Sequence, residues 1–100
     1  MDFIDVCGAS GASYRFRVWP GRAGHVPVAG NFVVVREARF PLDVQVIGVT
    51  GDLSQARLAA KAKGEERIFT RLNVARATRE AEHDDLVARY PKARVVVEKG

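Results

Sequence analysis

The sequence predicts an α+β domain: a small antiparallel or mixed sheet flanked by helices, with an additional hairpin at the N-terminal end. Three observations carry this expectation. Strand-length apolar or alternating runs fill the first half, two helical stretches follow, and a valine-rich run closes the chain. Strands followed by helices and then a strand is not the regular alternation that builds a doubly wound parallel sheet. One hundred residues suffice for one core, so residues 1–100 are read as a single domain. Within it, 1–27 holds N-terminal strands and a loop, 28–93 the main body, and 94–98 the closing strand.

The first strand candidate is Phe3–Val6, joined by the turn-rich Gly8-Ala9-Ser10-Gly11 to Ser13–Trp19. In the latter run Tyr14, Phe16 and Val18 alternate with Arg15 and Arg17, the period of a half-buried strand whose arginine side meets water. Pro20-Gly21 closes it, and Gly21-Arg22-Ala23-Gly24 opens an irregular loop reaching Pro27. Asn31–Arg36 is apolar on both faces, as an interior strand requires. Phe40-Pro41-Leu42-Asp43 breaks the run, and Val44–Val49 follows as its antiparallel partner.

Asp52 and Gln55 have capping-box-like spacing, which predicts a helix from Leu53 to about Lys63, ending at Gly64. Ile68–Leu72 fits either a short helix or a strand. Asn73 is the expected N-cap of the longest helix, Val74–Tyr90, which Pro91 ends. Arg94–Glu98 closes the chain as a strand. On a wheel of about 100° per residue with Leu86 at zero, Ala75, Tyr90 and Val87 mark a packed face. Arg79, Glu82 and His83 fall on that same face, so Arg79 and Glu82 either pair at its rim or line a cleft. Val74, Ala77 and Ala81 lie on the far side, which predicts a helix covered on two flanks.

Composition narrows the function classes. Hydrophobic residues make up 47% and charged residues 28%, ordinary globular usage. No apolar run approaches the roughly 20 residues that cross a bilayer, and the acidic start Met1-Asp2-Phe3-Ile4-Asp5 predicts a cytoplasmic location. The single cysteine excludes an intramolecular disulfide, and Cys7 is expected as a small buried residue. The net charge is +4, from 16 Lys+Arg against 12 Asp+Glu. Arginine's planar donor fork suits phosphate, and Arg57, Lys61, Arg76 and Arg79 lie in the most basic stretch, making them the candidate nucleic-acid contacts. The bland reading of that stretch is a solvated surface with pairs such as Arg76–Glu80. His83 reads as a satisfied structural imidazole or as a base, because its ring titrates near neutrality. Asp84 and Asp85 point about 100° apart on a helix and form no carboxylate dyad.

Three segments together resemble the GIY-YIG endonuclease superfamily. Gly30-Asn31-Phe32 stands where that family has Gly-Ile-Tyr. Val46-Ile47-Gly48 stands where it has Tyr-Ile-Gly, continuing through Val49-Thr50-Gly51-Asp52-Leu53 into a helix. The stretch Arg79–Pro91 is similar to the family's glutamate-bearing helix. The resemblance spans about 28–93 and implies a metal-binding glutamate, here Glu82 or His83, and a helix arginine, here displaced to Arg57. Phe32 and Val46 replace the two tyrosines, so the resemblance implies a catalytically degenerate relative. No cofactor is expected, unless Glu82 holds a divalent metal. Three functions follow: a non-catalytic nucleic-acid-binding domain, a protein-interaction or self-associating module using the edges at 13–19 and 94–98, or a metal-dependent phosphodiesterase using Glu82, His83 and Arg57 or Arg79.

Overall fold

The computed structural model describes residues 2–21, 24–37 and 40–98, so Arg22 and Ala23 of the predicted loop lie outside the described residues. Six strands form one sheet: β1 (Phe3–Cys7), β2 (Ser13–Val18), β3 (Gly30–Val35), β4 (Val44–Thr50), β5 (Arg67–Leu72) and β6 (Arg94–Glu98). A 3-10 turn at Leu53–Gln55 leads into α1 (Ala56–Ala60), and α2 (Arg76–Arg89) lies between β5 and β6. The order across the sheet is β1-β2-β5-β3-β4-β6. All neighbours run antiparallel except β4 and β6, which are parallel. The architecture is α+β with a mixed sheet, as the element order predicts.

The strand β3 sits between β4 and β5 and is buried at every position. Its alternation sends Phe32 and Val34 to one face and Val33 and Val35 to the other. Phe32 and Val34 join Val46, Leu53, Ala56, Ala60 and Ile68 beneath α1. Val33 and Val35 join Ile4, Val6, Phe16, Ile47, Phe69 and Leu86 beneath α2. The helices therefore cover opposite faces, each closing its own apolar layer. Burying each of Phe16, Phe32 and Phe69 contributes about 1.5–3 kcal/mol.

One contact fixes the packing on the α1 face. Phe32 pairs across the ladder with Gly48, and a Cβ at Gly48 would lie 2.1 Å from the Phe32 ring. The ring thus occupies the space a side chain would fill, which explains why glycine interrupts the apolar run of β4. On the α2 face, the β1–β2 turn is tied to α2 by Asp85. Its carboxylate accepts from Tyr14 Oη at 2.6 Å, Ser10 Oγ at 2.7 Å and Ser10 N at 2.8 Å. These bonds, Tyr14's first, hold the Asp85 carboxyl below its usual range, and the same hydrogen bond raises the Tyr14 phenol.

Several expectations are corrected. The first helix stops at Lys61, in the left-handed region at φ 50, well before Gly64. Asp52 does cap Ser54 N at 2.9 Å, but only Ala56 and Ala60 anchor α1, too little apolar surface to sustain a longer helix. Residues 67–72 form a strand. The N-cap of α2 is Ala75, with no side-chain cap, and Asn73 lies two residues before it, donating its Nδ2 to Asn31 and Glu82. Only one flank of α2 is covered: Val74, Ala77 and Ala81 are exposed. Cys7 is exposed as well, since Ile4 and Val6 take the buried side of the β1 alternation. Strand β2 lies between β1 and β5 but pairs with β5 only at Arg17 and Val18, so the expected edge at 13–19 is closed at its end and open at its start. The expected edge at 94–98 is one, and Val95 and Val97 are exposed on it.

The Phe32–Gly48 contact makes a testable pair. Gly48→Ala is expected to lower stability by about 1–3 kcal/mol through overpacking, and Phe32→Ala by about 3–5 kcal/mol. The double variant should lose clearly less than the sum in urea unfolding, because removing the ring makes room for the methyl. Additive losses would contradict the contact.

Candidate nucleic-acid interface

The residues singled out by sequence divide between the two faces. Phe32, Val46 and the start of α1 with Arg57 belong to one side of the sheet, and Glu82 and His83 on α2 to the other. Gly30 and Gly48 are packing positions: a Cβ at Gly30 would meet the Arg71 carbonyl oxygen at 2.2 Å and Leu53. Phe32, Val46, Arg57 and Glu82 therefore do not converge on one cleft.

Glu82 has a different role from the expected metal ligand. Its Oε1 accepts from Arg71 Nε at 2.8 Å and from Asn73 Nδ2 at 2.9 Å. Asn73 also donates to Asn31 Oδ1 at 3.0 Å, and the buried Asn31 donates to the Arg79 carbonyl at 2.9 Å. This network joins β3, β5 and α2 through polar groups that would otherwise be buried without partners. No group of three or more His, Cys, Asp or Glu is placed to hold a metal ion among the described residues. Of the two arrangements expected for Arg79 and Glu82, the rim pair is not formed: Arg79 donates to the Val74 carbonyl at 2.7 Å and lines a cleft with His83, and Glu82 does not line it. Asn73 and Asn31 carry no pattern that would have revealed this arrangement, since the partners are 42 residues apart.

His83 is 5% exposed, and its Nδ1 has no partner. It is a buried structural residue, yet not the satisfied imidazole expected. Burial pushes its pKa below the ordinary 6.5, against the opposing pull of Asp84 and a backbone hydrogen bond at Gly48. The ring is nearly enclosed, and it forms part of the wall of the cleft that Arg76 and Arg79 line.

The candidate phosphate contacts also separate. Arg57 and Lys61 line a groove of about 730 Å³ beside α1, together with Arg67 and Trp19. Arg76 and Arg79 line a different cleft, where Glu80, Asp84 and Glu98 offset them and Arg76 pairs with Glu80 at 3.0 Å. Next to the first groove lies a second, of about 630 Å³, lined by Arg15, Arg17, His25 and Thr70. Val18 and Gly24 belong to both grooves, which places them side by side.

The sequence dictates this basic surface simply. In β2 the buried residues Phe16 and, in part, Tyr14 and Val18 turn towards the α2 face, so Arg15 and Arg17 point the other way. Helix α1 is too short to reach them: it touches β3, β4 and β6. Arg15 pairs with Asp5 at 2.9 Å and lies over the Phe3 ring at 3.9 Å. Arg17, Arg57, Lys61 and Arg67 form no ion pair among the described residues. Trp19 continues β2, donating its backbone N–H to the Ile68 carbonyl at 2.9 Å. His25 lies 5.2 Å from the indole, ring centre to ring centre. Its Nδ1–H donates to the Val26 carbonyl at 3.0 Å, which leaves Nε2 to accept from Thr70 Oγ1 at 2.7 Å. The alternation of residues 13–19 already placed both arginines on one face. What it lacked was any sign that α1 and residues 24–28 stand beside that face.

Compared with models of known protein families, with curated proteins and with solved structures, the chain matches none. No helix among the described residues is long and apolar enough to cross a membrane.

The buried imidazole sets a pH dependence. A folded pKa below the unfolded value means that the unfolded chain binds the extra proton first, so stability is complete above about pH 6.5 and falls as pH drops below it. The slope is at most about 1.4 kcal/mol per pH unit. Thermal unfolding of the parent should show this decline beginning as the pH falls below about 6.5. His83→Gln should remove it. An unchanged pH profile in the variant would contradict the assignment.

Proposed function

We propose that this domain binds nucleic acid through the basic face beside α1, by contact with phosphates and without cleaving them. The observation that carries the reading is the set of cations Arg17, Arg57, Lys61 and Arg67, none in an ion pair among the described residues, on two adjoining grooves that also contain Trp19 and His25. An arginine-rich surface with few offsetting acids attracts a polyanion from a distance and offers forked donors at contact. In the first groove Glu66 is the one acid among the described residues, and its Oε1 accepts from Lys63 N at 2.9 Å.

A cleaving role finds less support. Phe32 and Val46 carry no proton-handling group, Glu82 is committed to Arg71 and Asn73, and His83 is buried on the far face. These groups do not assemble a base, an acid and a phosphate contact around one point, which a phosphodiesterase needs. A second reading, pairing of the β6 edge with another chain, is favoured by the exposed Val95 and Val97. Sedimentation as a monomer at every concentration counts against it.

The leading reading predicts salt-sensitive binding of labelled oligonucleotides in fluorescence anisotropy. Each cation that neutralises a phosphate contributes about 0.7–0.9 to the slope of log affinity against log salt. The triple variant Arg57→Ala/Lys61→Ala/Arg67→Ala should bind at least about tenfold more weakly at low salt, with a slope reduced by about 2. Arg76→Ala/Arg79→Ala, on the opposite face, should bind as the parent does. Equal losses in the two variants, or no binding by the parent at low salt, would overturn the reading.

A further inference from the structure

We propose, resting on that reading, that the ligand is a single strand of nucleic acid, with one unstacked base held at Trp19 while neighbouring phosphates run along the flanking cations. Phosphate attraction alone does not distinguish a single strand from a duplex. The groove's aromatic content does. In a duplex the base faces are covered by their neighbours, whereas a single strand can lay a base on an aromatic ring. Trp19 is the chain's one tryptophan, and it lines the groove that carries Arg57, Lys61 and Arg67.

The ring is positioned rather than loose. Its backbone is fixed to β5 through Ile68, and its side chain packs against the Phe32 layer. His25 is set beside it at an interplanar angle of 45° and is itself held at both ring nitrogens by Val26 and Thr70. The indole Nε1–H is buried and has no acceptor among the described residues, so a ligand meets the ring and not this donor. A nucleobase supplies the flat face that such a ring can stack on. An acidic peptide would meet the cations but offer the indole no stacking partner.

The cations extend the site past one nucleotide. The groove at Trp19 and its neighbour at Arg15 and Arg17 have volumes of about 730 and 630 Å³. Each falls within the range of clefts that hold small organic ligands. A strand running from one to the other would pass Val18 and Gly24, which line both grooves. Arg17, paired across the ladder with Thr70, faces the second groove on the same side of the sheet as the His25 contact.

The full chain is titrated at low salt with a 15-nucleotide oligo-dT, the matching oligo-U, a 15-base-pair duplex and a poly-glutamate peptide, following anisotropy and the emission of Trp19. The single strands are expected to bind at least about tenfold more tightly than the duplex and to quench the indole. Trp19→Ala should weaken single-strand binding by about tenfold or more, with Trp19→Phe intermediate. If Trp19→Ala does not fold, Trp19→Phe and the quenching in the parent still decide. Equal affinity for strand and duplex with unchanged emission would overturn this inference and leave phosphate binding standing. Binding to no nucleic acid, or equally tight binding of poly-glutamate, would overturn both.

Discussion

A strand buried on both faces cannot be satisfied by one layer. Gly30–Val35 carries Phe32 and Val34 on one side and Val33 and Val35 on the other, each fully buried. The two sides need separate apolar covers, and α1 and α2 supply them. Every later feature depends on this division. A side chain's parity along a strand decides which helix it meets, and so whether it belongs to the polar network under α2 or to the open basic surface beside α1.

The covers are unequal, and the inequality creates the candidate site. Helix α2 is 14 residues long, anchored by Leu86 and His83, and tied to the β1–β2 turn by Asp85. Helix α1 has five residues and rests on Ala56 and Ala60. It shields β3, β4 and β6 but leaves the outward faces of β1 and β2 to water. Arg15 and Arg17 occupy that uncovered area, and α1 itself adds Arg57 and the adjoining Lys61 along its border. A longer first helix would have covered the sheet and removed the groove.

Most of the fold was legible because strand signals are local. The alternation of residues 13–18, the two-sided apolar run of β3 and the valines of β6 each declare a strand without reference to partners. Residues 67–72 were ambiguous since Ile68 and Phe69 suit either element, and only pairing with both β2 and β3 decides. The candidate site was legible in part. Arg57 and Lys61 were found by charge alone, but charge density along the chain also drew in Arg76 and Arg79, which the topology places on the other face. Glu82 looked available because nothing in the sequence joins it to Arg71 and Asn73. Trp19 and His25 gained significance only once the strand end and the following loop met beside α1.

The account stands on one spatial claim: the surface beside α1 meets the ligand, and α2 does not. Backbone amide shifts followed by NMR during titration with an oligonucleotide test it directly. The predicted perturbations cluster at residues 15–19, 24–28, 57–61 and 66–70, with residues 76–89 unmoved. Perturbations centred on α2, at Arg76, Arg79 and His83, with a silent α1 face, would contradict it.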